Sequence, residues 1–288
     1  MKNLDDTYAE IQSLIQAAQT HLKLSSSLES RFGNVLDANN QEAEVMSRDH
    51  IGLWIGILEQ CIQWLAQFQD TLGHAITGPD AIERLVVPYA ILGASIAQAV
   101  AIRRLSLGGL DISARSLLRT LLESLDLANL TIFDSEAEQD FLQADTQEGA
   151  RTFWNKYTRK QLDNKTGRKQ SRADQALEAM LAMSGHDDDY IRRAVGHHEA
   201  QLNLVSQTVH VSLHAALFAT KSLSSDALRL LPGRFGVSSA FSELTLAQAS
   251  KWIWQFSRIV HPLLIAPLEG ERQFPCEFEI PTEIRTRF

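Results

Sequence analysis

Apolar residues recur at spacings of three and four along most of the chain. Before residue 269 no window alternates apolar with polar residues in the way of a strand rich in Val, Ile and Thr. This periodicity predicts helices over residues 7–28, 41–72, 80–105, 112–133, 137–163, 173–183, 188–223 and 246–264, each boundary good to about 2–4 residues. The expected fold class is all-α, a multi-helix bundle with an irregular, extended C-terminal tail. Asp80 and Ser135 each stand three positions before a glutamate, Glu83 and Glu138, as in a capping box. Asp111, just after Gly108-Gly109, reads as an N-cap. Thr77-Gly78-Pro79 and the run from Leu231 to Gly236 read as breaks. The second break divides residues 1–230, a bundle with a basic insert near 151–172, from residues 231–288, a last helix and a tail packed on the bundle. Residues 269–288 carry Pro275 and Pro281 and alternate through Glu277-Phe278-Glu279-Ile280, so they are expected to lie extended across the bundle or on a protein partner.

Composition narrows the class. A chain of 288 residues with 44% apolar and 22% charged residues can bury a core, and one large domain is favoured over two. The net charge of −8 confines any nucleic-acid contact to a local patch. Cys61 and Cys276 lack CxxC partners, which argues against a disulfide framework or a cysteine zinc site and for a reducing compartment. Residues 1–18 mix acids with apolar residues and lack a signal-peptide pattern, so a cytoplasmic location is expected. Residues 85–102 carry no charge and sit between Arg84 and Arg103-Arg104. Pro88, Gly93, Ser95, Gln98 and several alanines make this run a poor lipid-facing segment, so a buried core helix is favoured and no membrane partner is expected.

Two helices carry aligned polar residues. At 100° per residue Arg115, Arg119, Glu123 and Asp126 share one arc, either a solvated row of ion pairs or an arginine aimed by a carboxylate. On a later helix Glu199, Asn203, Ser206, Gln207, His210 and His214 form a stripe that Lys221 continues. His210 and His214 could ligate zinc only with a third protein ligand, and no HExxH pattern accompanies them. No metal or cofactor is assigned. His210 could instead move a proton beside Arg119 if the two helices face each other, or it could sit in a buried polar network. The segment 151–172 holds Arg151, Lys156, Arg159, Lys160, Lys165, Arg168, Lys169 and Arg172 against Asp163 alone, a net +7 that leaves −15 for the rest. With Phe153, Trp154 and Tyr157 interleaved, it either tracks a phosphate backbone through Lys156, Arg159, Lys160, Lys165, Arg168 and Lys169, or is a solvated element whose aromatics face the core. Trp252, Trp254 and Phe256 recur too closely to share one face, so they are expected to meet the tail or a second subunit, as in a homodimer.

Gly109-Leu-Asp-Ile-Ser-Ala-Arg115-Ser-Leu-Leu-Arg119-Thr-Leu-Leu-Glu123, followed later by Leu204-Val-Ser206-Gln-Thr-Val-His210-Val-Ser212, resembles an uncharacterised bacterial all-helical family, a domain of unknown function. That family pairs an Arg-x-x-x-Glu helix with a Ser-x-x-x-His helix and is distantly similar to the helical ribonucleases of the higher eukaryotes and prokaryotes nucleotide-binding superfamily. The resemblance covers about half the chain. It implies a polar centre of Arg119, Glu123, Ser206 and His210, with RNA or a nucleotide as partner in a stress or phage-defence setting. Those ribonucleases place an Arg and a His at one helix start, and Arg192 with His197 or Arg193 with His198 has that spacing, although Ala194 stands where a polar residue is usual. A non-catalytic interaction module, such as an antitoxin, adaptor or scaffold, is the alternative function, and a metal-dependent hydrolase using His210 and His214 is a second.

Overall fold

In the computed structural model, residues 26–78, 82–162, 169–209 and 242–260 are described, together with Ser13. Helix α1 runs unbroken over Ser26–Thr77, 52 residues, through the gap expected between residues 28 and 41. Gly33, Asn39 and Asn40 are weak helix formers, costing up to about 1 kcal/mol each, but no proline removes an amide from the hydrogen-bond ladder. At about 1.5 Å per residue α1 is more than twice as long as the helices it packs on. Among the described side chains, those in the core begin at Ile51.

The apolar run becomes helix α2 (Val86–Leu107), entered through a 3-10 turn at Glu83–Leu85. Its long apolar span would suffice to cross a membrane, but Ile91, Leu92, Ala99 and Ile102 are buried against the other helices. Gly109, at φ 71°, closes α2 in a Schellman arrangement: its N–H meets Ser106 O at 3.2 Å and the Leu110 N–H meets Leu105 O at 2.8 Å.

Helix α3 (Asp111–Phe133) is the centre of the bundle, buried on most sides and in contact with α2 and with four later helices. Asp111 is not the N-cap: Leu110 holds that position without a side-chain bond, and the Asp111 carboxylate turns inward. The single helix expected over 137–163 is two. Helix α4 (Ser135–Leu142) is capped by Asp134 rather than Ser135, its Oδ1 accepting from the Glu136 and Ala137 amides at 3.1 and 3.2 Å. Helix α5 (Gln147–Tyr157) starts at Thr146, whose Oγ1 accepts from the Gly149 N–H at 3.0 Å. A cap one residue nearer the helix end competes with any sequence signal inside the helix.

Strands β1 (Gln161–Leu162) and β2 (Lys169–Gln170) pair antiparallel, Gln161 opposite Gln170 and Leu162 opposite Lys169. This short hairpin is the one departure from an all-helical architecture among the described residues. Helix α6 (Arg172–Met183) opens with a full capping box of Ser171 and Asp174, a start signal that the periodicity hid. Helices α7 (Asp188–Val209) and α8 (Ser242–Val260) complete the bundle. The main core joins α1, α2, α3 and α8, where Phe256 meets Trp64 and Phe68 at ring centroid distances of 6.3 and 6.0 Å. A smaller cluster of Met180, Leu181, Ile191 and Ile259 ties α6 to α7 and α8. His210, His214, Lys221, Cys276, Lys165, Arg168 and the tail 269–288 lie outside the described residues.

Candidate functional site: a polar seam and a basic arm

Because α3 is enclosed, its polar arc cannot be a solvated row from end to end. At its start the Arg115 Nε lies 3.3 Å from Asp111 Oδ2, both side chains 1% exposed, and Thr245 Oγ1 of α8 donates to Asp111 Oδ1 at 2.7 Å. Burial lowers the Arg115 pKa while the Asp111 charge opposes that shift. One turn on, Arg119 donates to Glu123 at 2.9 Å on the same helix, both a third exposed. Asp126 then meets α7: the His198 Nε2–H donates to its Oδ2 at 2.9 Å. The arc therefore passes from a buried pair, to an opening at Arg119 and Glu123, to a half-buried carboxylate held by a buried histidine.

The α7 side of this seam differs from the expected stripe. His198, Gln201, Leu202 and Val205, at helical spacing, turn toward α3 and α8, and the expected stripe lies about a third of a turn away. Glu199 pairs with Lys160, Asn203 is exposed, and the Ser206 hydroxyl donates to the Leu202 carbonyl of its own helix at 2.6 Å. Two histidines of the Arg-to-His spacing thus carry the contact. The His198 ring packs edge-on to Trp252 at 4.4 Å, and Gln248 Nε2 donates to Gln201 Oε1 at 2.7 Å. Beside them Lys251 Nζ donates to His197 Nε2 at 2.7 Å. Arg192 pairs within its own helix with Asp189 at 3.3 Å, and Arg193 is exposed.

The two histidines titrate in opposite senses. Burial works to lower the His198 pKa, but Asp126, with Asp174 and Glu199 beyond it, raises it above the ordinary value. Burial, Lys251 and His198 hold His197 below it. His198 Nδ1 is buried without a hydrogen bond among the described residues, so this imidazole joins helices and presents no nitrogen to a solute. The Cys61 thiol is also sequestered, pushed up to about 12 by burial and donating to the Ser250 carbonyl at 3.6 Å. Among the described residues no three His, Cys, Asp or Glu side chains gather as a metal site.

The basic segment folds into an arm of α5, the hairpin and the start of α6. Two of its aromatics face inward: Phe153 and Tyr157 are core residues, whereas Trp154 is 40% exposed. Lys156 reaches Glu136 at 2.8 Å and Asp140 at 2.5 Å, and these bonds raise its pKa. Arg172 reaches Asp134 and Glu136 at 2.8 and 3.0 Å, and Lys160 pairs with Glu199. Tyr157 donates to Asp140 at 2.8 Å beneath the Lys156 and Arg172 cations, each 5.0 Å from its ring. Arg151 and Arg159 are exposed. The Lys169 backbone belongs to β2.

Sequence periodicity offered no hint of a third feature, an open groove of about 460 Å³ between α1 and α2, lined by Gln69, Asp70, His74 and Tyr89. It depends on Gly73, where a Cβ would stand 3.2 Å from the Tyr89 ring. Compared with protein-family models, curated proteins and solved structures, the chain has no match.

Proposed function

We propose that this chain is a cytoplasmic RNA-binding helical module in which the α3–α7–α8 seam holds the bundle together and the α5–hairpin–α6 arm makes the contact. The observation that supports this reading is an imbalance of charge. Eight cations lie in segment 151–172 against one internal acid, and the described ion pairs bring only four outside carboxylates, Asp134, Glu136, Asp140 and Glu199, to meet them. The segment itself sums to +7 in a protein whose other residues sum to −15. Such a patch attracts a polyanion that the rest of the surface repels. By contrast the seam's polar groups close on one another, which suits a structural role.

A labelled RNA titrated with wild type, with Lys165, Arg168 and Lys169 all changed to Glu, and with Arg119→Ala tests the reading. Binding is expected for wild type and Arg119→Ala and should be lost for the triple variant, with the RNA recovered intact. Equal binding by all three, or none by wild type, overturns it, and cleavage that Arg119→Ala abolishes returns the Arg119 centre to an enzymatic role.

A further inference from the structure

Resting on that reading, we propose that the solvent face of α5, Arg151 and Trp154 with Arg159 just beyond the helix, is a stacking site for unpaired bases, so that the arm selects single-stranded nucleic acid. The arm has two kinds of cation. Lys156, Lys160 and Arg172 are held by carboxylates of α4, α7 and the turn before α4. They anchor the arm to the bundle and have little charge left for a ligand. Arg151 and Arg159 are in none of these pairs and are exposed, as are Trp154, Asn155 and Thr158.

Helical geometry puts these groups together. Phe153 and Tyr157, four apart, direct one face of α5 into the core, which turns Trp154, 100° away, toward solvent with Arg151 one turn behind it. Beyond the helix end the Arg159 backbone N–H folds back onto the Trp154 carbonyl at 3.3 Å, so the exposed Arg159 follows within one turn of Trp154 and the exposed Arg151 precedes it by one turn. The indole is also braced, meeting the buried Phe153 ring edge to face at 6.1 Å and 84°. A braced, exposed aromatic loses little rotamer freedom when a base stacks on it. Flanking guanidinium groups suit the phosphates on either side of that base. A duplex keeps its base faces covered and could use only the charges.

The test uses the full chain and a fluorescein-labelled, unstructured RNA of about 12 nucleotides, with its duplex and a polyglutamate peptide as comparison ligands. Anisotropy titrations are run at two salt concentrations. Trp154→Ala should weaken single-strand binding by about 5- to 150-fold, the range for losing one stacked base, and leave duplex binding unchanged. Trp154→Phe should recover most of the loss. Arg151→Glu with Arg159→Glu should weaken both ligands and flatten the salt dependence. Circular dichroism should show the same helix content for all variants. Single-strand affinity unmoved by Trp154→Ala, or polyglutamate binding with the same dependence on Trp154, overturns the stacking site. If the variant with Lys165, Arg168 and Lys169 all changed to Glu still loses binding in that case, the arm remains the contact and only the stacking site falls. If wild type binds no RNA, both fall.

Discussion

Asp111–Arg115 and Glu136–Lys156 are both carboxylate–cation pairs, yet the first has 1% of each side chain exposed and the second 58% and 39%. In the seam, two ions leave water and depend on polar partners inside the bundle, each other and Thr245 among them. In the arm, water screens the pair, and its value is positional: it holds α5 against α4 while other cations stay outside. One chemistry thus performs two tasks, and burial decides which.

The largest expected effect strikes the seam. Asp111→Asn keeps an acceptor for Thr245 but leaves the Arg115 charge buried opposite an amide, which should cost about 3–5 kcal/mol of unfolding free energy. Adding Arg115→Met should restore much of that loss, since it removes the buried charge that the lost carboxylate had balanced. Urea denaturation of the two variants measures both, and a loss under about 1 kcal/mol for the single variant would show the seam to be no more demanding than the arm.

A smaller, pH-dependent effect separates the two histidines. The raised pKa of His198 contributes stability that is complete below its unfolded value of about 6.5 and disappears as pH rises through the folded value. The lowered pKa of His197 contributes stability present above about 6.5 and lost as pH falls through its folded value. His198→Gln should remove the alkaline-side decline in urea midpoint and His197→Gln the acid-side one. The His197 step should be the smaller, because that side chain is exposed. A wild-type decline above pH 6.5 that persists in His198→Gln would refute the ion pair's role.

The smallest effect belongs to the arm. Glu136→Gln releases both Lys156 and Arg172 from one carboxylate. Amide exchange over residues 147–157 should quicken while the global unfolding midpoint stays put, and added salt should mimic the change in wild type. A shift in the midpoint as large as that of Asp111→Asn would erase the distinction drawn between the two regions.

Helix content was legible in the sequence because periodicity is local. The polar residues of α3 were legible as an arc for the same reason, and Arg115 does form a buried contact while Asp126 reaches across to α7. His198 appeared only as half of an Arg-to-His spacing, because its partners Asp126 and Trp252 lie 72 and 54 positions away. Of the stripe expected from Glu199 to His214, the described side chains of Glu199, Asn203 and Ser206 lie off the contact face, because the rotation of α7 is set by what the bundle buries, Leu202 and Val205 among them.

By itself the sequence determined that the chain is helical and that positive charge is concentrated in residues 151–172. Each depends on neighbours within a turn or two, where spacing dictates geometry. Only the tertiary structure decided which cations are anchored, that Asp111 faces inward instead of capping α3, and that Trp154 rather than Phe153 or Tyr157 meets solvent. Those outcomes follow from burial, and burial is a property of elements packed together, to which residues far apart in the chain contribute equally.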